Sequence, residues 1–590
     1  MAHRSLEMKL ISGLYFRLLP IQLILAAVNA VNGMISSLFA GNCVGKAAMS
    51  AIGLYVPFNL FIAAVALMLM GGAQLLCGES MGRNEKDRMQ NVFSINLLVS
   101  VAVSAAFIAG LVLLVVTGAT RLMARDDAVR RSFDAYLLGQ AVGVLPFVLG
   151  QQLSAFLSLE NRTRRTSIAS FVFVLTNLAL NAVLVGGLGM GALGLALAPS
   201  LGLWVYFGIQ AQYYVSGQSM LKLRLRGVRR SDVPAILKTG YPGALSQVYQ
   251  TLRGFILNAL ILQFAGNAGL SAFAASNALL GLVWSLPTAM VAVSRMLIGI
   301  SIGEEDRRSL TDVMRVMFSR CVPLMGAVSA LIIVSAVPLT RLYYREPADP
   351  VFGMTVMAFR ILPLCMPLSV ICIHFVCYAQ ASGKQLLVHI LSLLDGVVCV
   401  AGFTALLIPV LGMNGVYVSN ILNGLTCAAV IVLYSWAVRR AFPRNMEELM
   451  VIPADFGVKE DERIDIAVRS MDDVVTVSRQ VTDFCLEHGT DRRRAGFAGL
   501  FLEEMAGNVV RHGFSRDAKK HSVDIRVAHK GDDVILRIRD DCVPFDPAER
   551  KDLVDPEDRA KNMGIRLVYR MAKDIRHQNI LGLNVLTIRI

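Results

Sequence analysis

From about Leu18 to Trp436 the chain alternates apolar runs with short charged loops. Each run has roughly twenty or more residues, enough to cross a ~30 Å hydrocarbon core. The runs predict spans near 14–39, 50–77, 91–117, 131–157, 166–186 and 190–214, and a second set near 236–264, 271–300, 312–336, 351–380, 384–410 and 413–436. After Pro443 the pattern changes: charges become dense and apolar residues fall into short alternating or helical periods. From about Ile452 these periods predict strand, helix, helix, strand, strand, a lid, helix, strand, strand. Asp472 stands where the N-cap of a helix through Glu487 is expected, and Asp491 does the same for a helix through about Val510. Val534, Leu536 and Ile538 alternate with Ile535, Arg537 and Arg539, a half-buried strand that follows a turn at Gly531-Asp532-Asp533 and ends on Asp540. The expected fold class is an all-α polytopic membrane domain of about twelve helices, joined to a C-terminal α/β sandwich.

Composition sharpens this picture. The chain is 55% hydrophobic and 17% charged, with mean hydropathy +0.57, too apolar for an ordinary soluble enzyme. Its net charge of +14 sits mainly in the short loops, where membrane topology alone places it, and this argues against nucleic acid as a partner. If Met1 is cytoplasmic, the inner loops hold Arg83, Lys86 and Arg88, then Arg162, Arg164 and Arg165, then Lys222, Arg224, Arg226, Arg229 and Arg230; Arg439, Arg440 and Arg444 follow the last span. The outer loops are poorer, apart from Arg121, Arg125, Arg130 and Arg131. The inside excess of roughly three to one predicts a multi-pass protein of the cell membrane with both termini in the cytosol and lipid around the first 440 residues. The first apolar stretch is too long and continuous for a cleavable signal peptide. The ten cysteines lie mostly inside apolar runs (among them Cys321, Cys365, Cys372, Cys377, Cys399 and Cys427) without paired ligand spacing, and are expected as small buried hydrophobes.

The membrane half repeats itself. Pro20 begins a segment that reaches Ala40-Gly41-Asn42, and the next span runs out through Gly82-Arg83-Asn84-Glu85-Lys86-Asp87. About 220 residues later, Pro242 begins another that reaches Ala265-Gly266-Asn267 and then Gly303-Glu304-Glu305-Asp306-Arg307. Two six-helix halves, 1–225 and 226–440, with substrate handled between them, are a recurrent transporter plan. The layout resembles the multidrug and toxic compound extrusion (MATE) family over most of residues 10–440. The resemblance implies an antiporter for organic cations or drugs, coupled to Na+ or H+. Relatives often carry Asp near the end of the first span and of the fifth, where this chain has Asn32 and Asn181. Asn can ligate a metal ion through its carbonyl oxygen but cannot shuttle a proton. Ionisable groups inside a membrane default to functional candidates. Asp395 lies deep in the eleventh span with His389 before it, Arg253 interrupts the seventh, and Arg295 and His374 sit in the eighth and tenth. The transport candidates are therefore Asn32, Asn181, Arg253 and Asp395.

After a linker at 441–454, residues 455–590 present three clusters in order. Glu504, Asn508 and His512 recur at four-residue intervals on one helix face. Asp540-Asp541-Cys542-Val543-Pro544-Phe545-Asp546-Pro547 follows, and then Asn562-Met563-Gly564-Ile565 opens a helix before the closing strand with Thr587. An oxygen ligand for a metal, a carboxylate for the adenine amino group and a helix N-terminus for phosphates are what ATP with Mg2+ requires. The segment resembles the GHKL superfamily (gyrase, histidine-kinase and MutL ATP-binding domains), and within it the anti-sigma-factor serine kinases. The resemblance implies Asn508 as Mg2+ ligand, Glu504 as catalytic base and Asp540 as adenine acceptor supported by Thr587. It also implies that His512, Asn562 and Gly564 line the nucleotide, with Gly564 letting backbone amides reach the phosphates and Arg550, Lys551, Arg559 and Lys561 forming a lid. Cys542 and Asn562 stand where relatives usually carry Gly. No Gly-x-x-x-x-Gly-Lys-Ser/Thr loop is present, which separates the chain from P-loop ATP pumps. Two functions follow: an antiporter regulated by a fused ATP-binding domain, or a membrane-anchored serine kinase or ATP sensor. In the second, the partner would be a small soluble regulator of the anti-anti-sigma type and the helices would serve as sensor and scaffold.

Overall fold

The computed structural model describes residues 2–39, 44, 46–83, 85–123, 126–160, 162–224, 229–342, 344, 346, 350–458, 461–514, 521, 523–530, 532–543, 545, 547, 563–580 and 583–590. The side chains of 2–10, 25, 28–30, 32–34, 36–38, 46–50, 82, 267, 278, 530 and 580 lie outside the description.

Six helices form the first half: α1 (Ala2–Phe39), α2 (Lys46–Gly82), α3 (Lys86–Val116), α4 (Asp127–Leu159), α5 (Thr163–Asn181) and α6 (Gly191–Val215). The second half contains α7 (Asp232–Val283), α8 (Ser285–Gly303), α9 (Arg307–Val316), α10 (Val322–Val334), α11 (Ala336–Arg341), α12 (Pro350–Ile361), α13 (Met366–Ala381), α14 (Gln385–Leu393), α15 (Cys399–Leu411) and α16 (Met413–Arg439). Among the described residues, 10 helical stretches are long and apolar enough to cross a membrane. They correspond to ten of the expected spans. The other two fall on α1, whose described apolar stretch is Ile11–Ile24, and on α7 before Gly266. Instead of a loop between the seventh and eighth spans, α7 kinks at Gly266 (φ 62, ψ −163). Shorter interruptions are π turns: Met317–Cys321 joins α9 to α10, and Leu394–Val398 joins α14 to α15.

The halves meet where α1 and α2 pack on α7 and α8. At the α2–α7 crossing a Cβ on Gly72 would lie 2.1 Å from the Ile236 carbonyl oxygen, and one on Gly240 1.8 Å from that of Met68. Only glycine allows backbones this close, the small-residue packing that membrane helices use in place of a hydrophobic driving force.

The residues after Pro443 do not trail away. α17 (Met446–Met450) folds back so that Met450 and Ile452 enter the apolar core of the membrane half. Beyond it come β1 (Arg463–Val468), α18 (Met471–Glu487), α19 (Arg492–Asn508), β2 (Val523–Lys530), β3 (Asp533–Asp540), α20 (Met563–Met571), β4 (Asp574–Ile580) and β5 (Leu583–Arg589), in the order expected from the pattern. The five strands form one antiparallel sheet, β1-β2-β3-β5-β4. Ser470, not Asp472, caps α18: its extended backbone lets its side chain accept from Asp473 N, and Asp473 returns the bond as a capping box. Asp491 caps α19 as expected, accepting from Arg493 N and Arg494 N. One sheet face, with Val523, Ile525, Val534, Leu536, Ile538, Leu586 and Ile588, is buried against α18, α19 and α20. The opposite face is not left to solvent. Its Val585 is buried in the core of the membrane half.

Candidate functional site

The strand alternation that puts Leu536 and Ile538 toward the helical layer also puts Asp540 there, at the end of β3. Asp540 is buried, and its Oδ1 accepts from Cys542 N at 3.0 Å and from Asn584 Nδ2 at 2.8 Å. Burial raises its carboxyl above the usual value against the opposing effect of those bonds. Asn584 is the cross-strand partner of Asp540, so Thr587, three residues further on, points to the other face, where it pairs with Arg537. Thr587 therefore does not join Asp540, and Asn584 takes the place expected for it. Counting the antiparallel register back from the chain end would have found it.

Glu504 and Asn508 are half-buried on α19. The helix then changes to a π turn at Val509–Gly513, which breaks the four-residue line, and His512 is exposed. Gly564, in the first turn of α20, lies against Glu504: a Cβ there would stand 1.8 Å from Glu504 Oε2. Gly513 lies similarly against Cys542, with a Cβ-to-Sγ separation of 2.9 Å. The helix that carries the first sequence cluster thus touches both of the others, and glycine at 513 and 564 is what permits the approach. The donor types fit an adenine nucleotide with Mg2+: a buried acceptor at Asp540, the amide oxygen of Asn508 on α19 and the first turn of α20 beside Glu504. Asn562 and the basic lid residues Arg550, Lys551, Arg559 and Lys561 lie outside the described residues.

The far face of the sheet carries a second constellation, absent from the sequence expectation. Arg526 on β2 and Arg537 and Arg539 on β3 converge on the loop between α8 and α9. Arg539 Nη2 lies 2.6 Å from Glu304 Oε2 and 2.8 Å from Asp306 Oδ2, and its Nη1 donates to Ser309 Oγ at 3.1 Å. Arg537 Nη1 reaches the same carboxylates at 3.1 and 3.3 Å. Arg526 bridges Asp306 and Asp465, and Asp465 also binds Arg308. Arg307 adds Glu447 and the Pro453 carbonyl, both at 2.8 Å, tying the linker to the same loop. Burial alone would raise the Asp306 carboxyl, but Arg526, Arg539 and Arg537 outweigh it and hold it well below the usual carboxylate range. Among the described residues, the corresponding loop of the first half receives a single bond from the tail, from Arg576 to the Arg83 carbonyl. Three arginines on one sheet face were the available signal. Their acidic partners lie too far away in sequence for any local pattern to connect them.

Inside the membrane half, Asn181 is fully buried, with Nδ2 donating to Asn177 O and Oδ1 at 2.9 and 2.8 Å. Its own Oδ1 is buried without a hydrogen-bond partner among the described residues. The side chain of Asn32 lies outside them; its helix α1 packs against α5. Asp395 sits in the π turn Leu394–Val398, where its carboxylate accepts from Asn423 Nδ2 at 2.8 Å and its carbonyl accepts from Arg253 Nη1 at 3.1 Å. Arg253 and Asp395 are thus brought together through the backbone, and their side chains form no ion pair among those described. His389 bonds Tyr241, and His374 lies between Val370 O and Tyr15 OH. A cavity of about 250 Å³ at the tail-side ends of α2, α7 and α13 is lined by Glu79, Lys238, Thr239 and Gln380 among others.

Residues 20–183 and 242–404, together more than half of the chain, match the MatE family, and residues 468–590 match the histidine kinase-like ATPase domain. A probable multidrug resistance protein NorM of Aromatoleum aromaticum is 29% identical over 224 residues, covering 36% of this chain and 48% of that protein. The chain therefore spans about half the length of that relative. The multidrug resistance protein NorM of Vibrio cholerae is 20% identical over 345 residues, covering 57% and 74%. Among solved structures, a MATE in complex with MaL6 superposes with TM-score 0.69 at 21% identity, covering 75% of this chain and 99% of that one. An outward-facing multidrug resistance MATE family transporter gives 0.69 at 21%, covering 75% and 97%. At these identities the structures establish the fold.

Proposed function

Since the chain belongs to the MatE family and ends in a histidine kinase-like ATPase domain, we propose that it is a cation-coupled antiporter regulated by ATP. It exports small organic cations or drugs, and both termini face the cytosol, where ATP is available. The observation that carries this reading is the arginine face of the tail sheet: Asp540 on one side is adjacent in sequence to Arg539, which holds Glu304 and Asp306 on the other. A nucleotide seated at Asp540 would bias the loop between α8 and α9 through a single strand. In this reading Asn508 ligates Mg2+, Asp540 and Asn584 receive the adenine edge, and the first turn of α20 with Gly564 faces the phosphates. Asp395, supported by Asn423 and Arg253, is the charged group in the transport cycle, while Asn181 with Asn177 offers neutral oxygens in the first half. That the NorM relatives are multidrug resistance proteins supports a drug-like substrate.

A second role for the same tail, phosphorylation of a small soluble regulator, is favoured by one contact. Glu504 is pressed against the first turn of α20, beside the expected phosphates, where a base could take the proton of an attacking hydroxyl.

The test is efflux from cells and Mg-ATP binding by the purified full chain, with Asn508→Ala beside wild type. Wild type should export a cationic dye and bind Mg-ATP, and Asn508→Ala should lose metal-dependent binding. Equal Mg-ATP affinity in both would remove Asn508 from the site, and dye accumulation unaffected by the chain would remove drug export. Labelling of an engineered cysteine at position 86 from the cell exterior would overturn the proposed orientation; position 125 is the one expected to react from outside.

A further inference from the structure

The cysteines of the membrane half have no ligand spacing in sequence, yet the fold gathers two of them around its best-placed carboxylate. Cys372 on α13, Cys427 on α16 and Asp395 in the π turn after α14 bring Sγ, Sγ and a carboxylate oxygen within 4.8 Å of one another. Both thiols are buried and in reduced form, and Asp395 is half-buried. Asn423, which donates to Asp395 Oδ1 at 2.8 Å, also sets its Oδ1 3.8 Å from Cys427 Sγ, so one side chain orients two members of the group. Outer partners of this kind are what a metal site needs to fix its ligands. The π turn at Asp395 is itself an irregularity of the type that recurs at functional sites. Arg253 binds the Asp395 carbonyl, placing one positive charge beside the group.

We infer that Cys372, Cys427 and Asp395 form a binding site for a borderline-soft divalent cation of the Zn2+ or Cd2+ class, taken up in exchange for two protons. Two sulfurs and an oxygen select such ions over Na+ or Mg2+, which prefer all-oxygen shells. A tetrahedral site with metal–sulfur bonds of ~2.3 Å has ligand-to-ligand edges of ~3.8 Å, so side-chain shifts of about 1 Å close this one. The charge balance suits a membrane interior. Before loading, two thiols, one carboxylate and the neighbouring guanidinium sum to zero. On loading, each thiol gives its proton to solvent and its sulfur forms a bond to the metal. Two thiolates, one carboxylate, the dication and the guanidinium again sum to zero. The exchange therefore adds no net charge to a low-dielectric site, where a net charge is costly. This goes beyond the transport reading and stands without it: a protein that binds Cd2+ and exports no drug would refute that reading and keep this site.

The test uses purified full-length protein in detergent, titrated with Cd2+ alone while ultraviolet thiolate-to-metal absorption and proton release are followed. The tail holds a second group, His521, Asp541 and Cys542, so the titration is done in a Cys542→Ser background. That protein should bind one Cd2+ and release about two protons. Adding Cys372→Ser and Cys427→Ser should abolish the absorption and weaken binding by more than about 100-fold; adding Asp395→Asn should keep it and weaken binding about 10–100-fold. Cys485→Ser, buried in the tail, should change nothing. Absence of the absorption in the Cys542→Ser protein, or its persistence after loss of both cysteines, would overturn the inference. The first of these outcomes does not depend on whether any further variant folds.

Discussion

The two halves of the membrane domain share a plan and differ in where they carry charge. Among the described residues, the first half offers neutral groups inside, Asn177 and Asn181, and its loop at Arg83 receives one hydrogen bond from the tail. The second half holds Asp395 and Arg253 inside, and its loop at Glu304–Asp306 receives three arginines. The same position in the repeat thus became a light contact in one half and a buried ionic junction in the other. Duplication preserved the helices, while the chemistry that could couple to a cation or to a nucleotide was concentrated on one side.

The largest expected effect separates the interiors. Asp395→Asn should reduce gradient-driven efflux to background while leaving Mg-ATP binding intact, because the candidate ion site loses its carboxylate. Asn181→Ala should slow efflux and leave part of it. If Asp395→Asn transports normally, the asymmetry inside the membrane has no functional content.

Next come the loops. Asp306→Ala leaves three arginines facing a lost partner, and breaking a buried network of this kind costs about 3–5 kcal/mol. Docking of the tail, read by proteolysis of the linker at 441–454 or by the melting of the tail, should weaken by that order. Arg576→Ala, on the first-half side, should cost about 0–1 kcal/mol, because a half-exposed arginine is well solvated without its partner. Similar costs for the two variants would erase the comparison.

The smallest effects are those of pH. The Asp306 carboxyl is held down in the docked state, so its contribution is complete above the ordinary Asp value of about 3.9 and is lost as pH falls through the lower docked value. Docking should therefore be flat from about pH 5 to 8 and loosen only in acid. Asp540 has the opposite shift. It accepts the adenine amino group only as a carboxylate, so ATP affinity should begin to fall at a higher pH than an ordinary aspartate would give. Calorimetry at stepped pH distinguishes the two directions.

The apolar runs and the tail's element order were legible because both are local: span length and strand alternation need no knowledge of partners. The cap of α18 was displaced by two residues because Ser470 and Asp473 form a reciprocal pair that outcompetes a single Asp. Thr587 was misplaced for a register reason, since only the pairing of Asp540 with Asn584 decides which residues of β5 share its face. Alternation reads β3 as a half-buried strand with Ile535, Arg537 and Arg539 on the open face, but the loop after α8, more than 200 residues earlier in the chain, covers that face. Cys372 and Cys427 lie on different spans and carried no spacing signal at all. Apart from the cap of α18, what escaped the sequence was long-range.

The central claim is that nucleotide in the tail reaches the transporter through Glu304 and Asp306. It is tested most directly by dye transport in proteoliposomes, with Mg2+ and a non-hydrolysable ATP analogue on the tail side, for wild type and for Asp306→Ala. The account predicts that nucleotide changes the wild-type rate by about 5-fold or more, the lower range of coupling between linked sites. In Asp306→Ala it should change the rate not at all, although the variant still binds the analogue. A wild-type rate indifferent to nucleotide, or an equal response in both proteins, would contradict it.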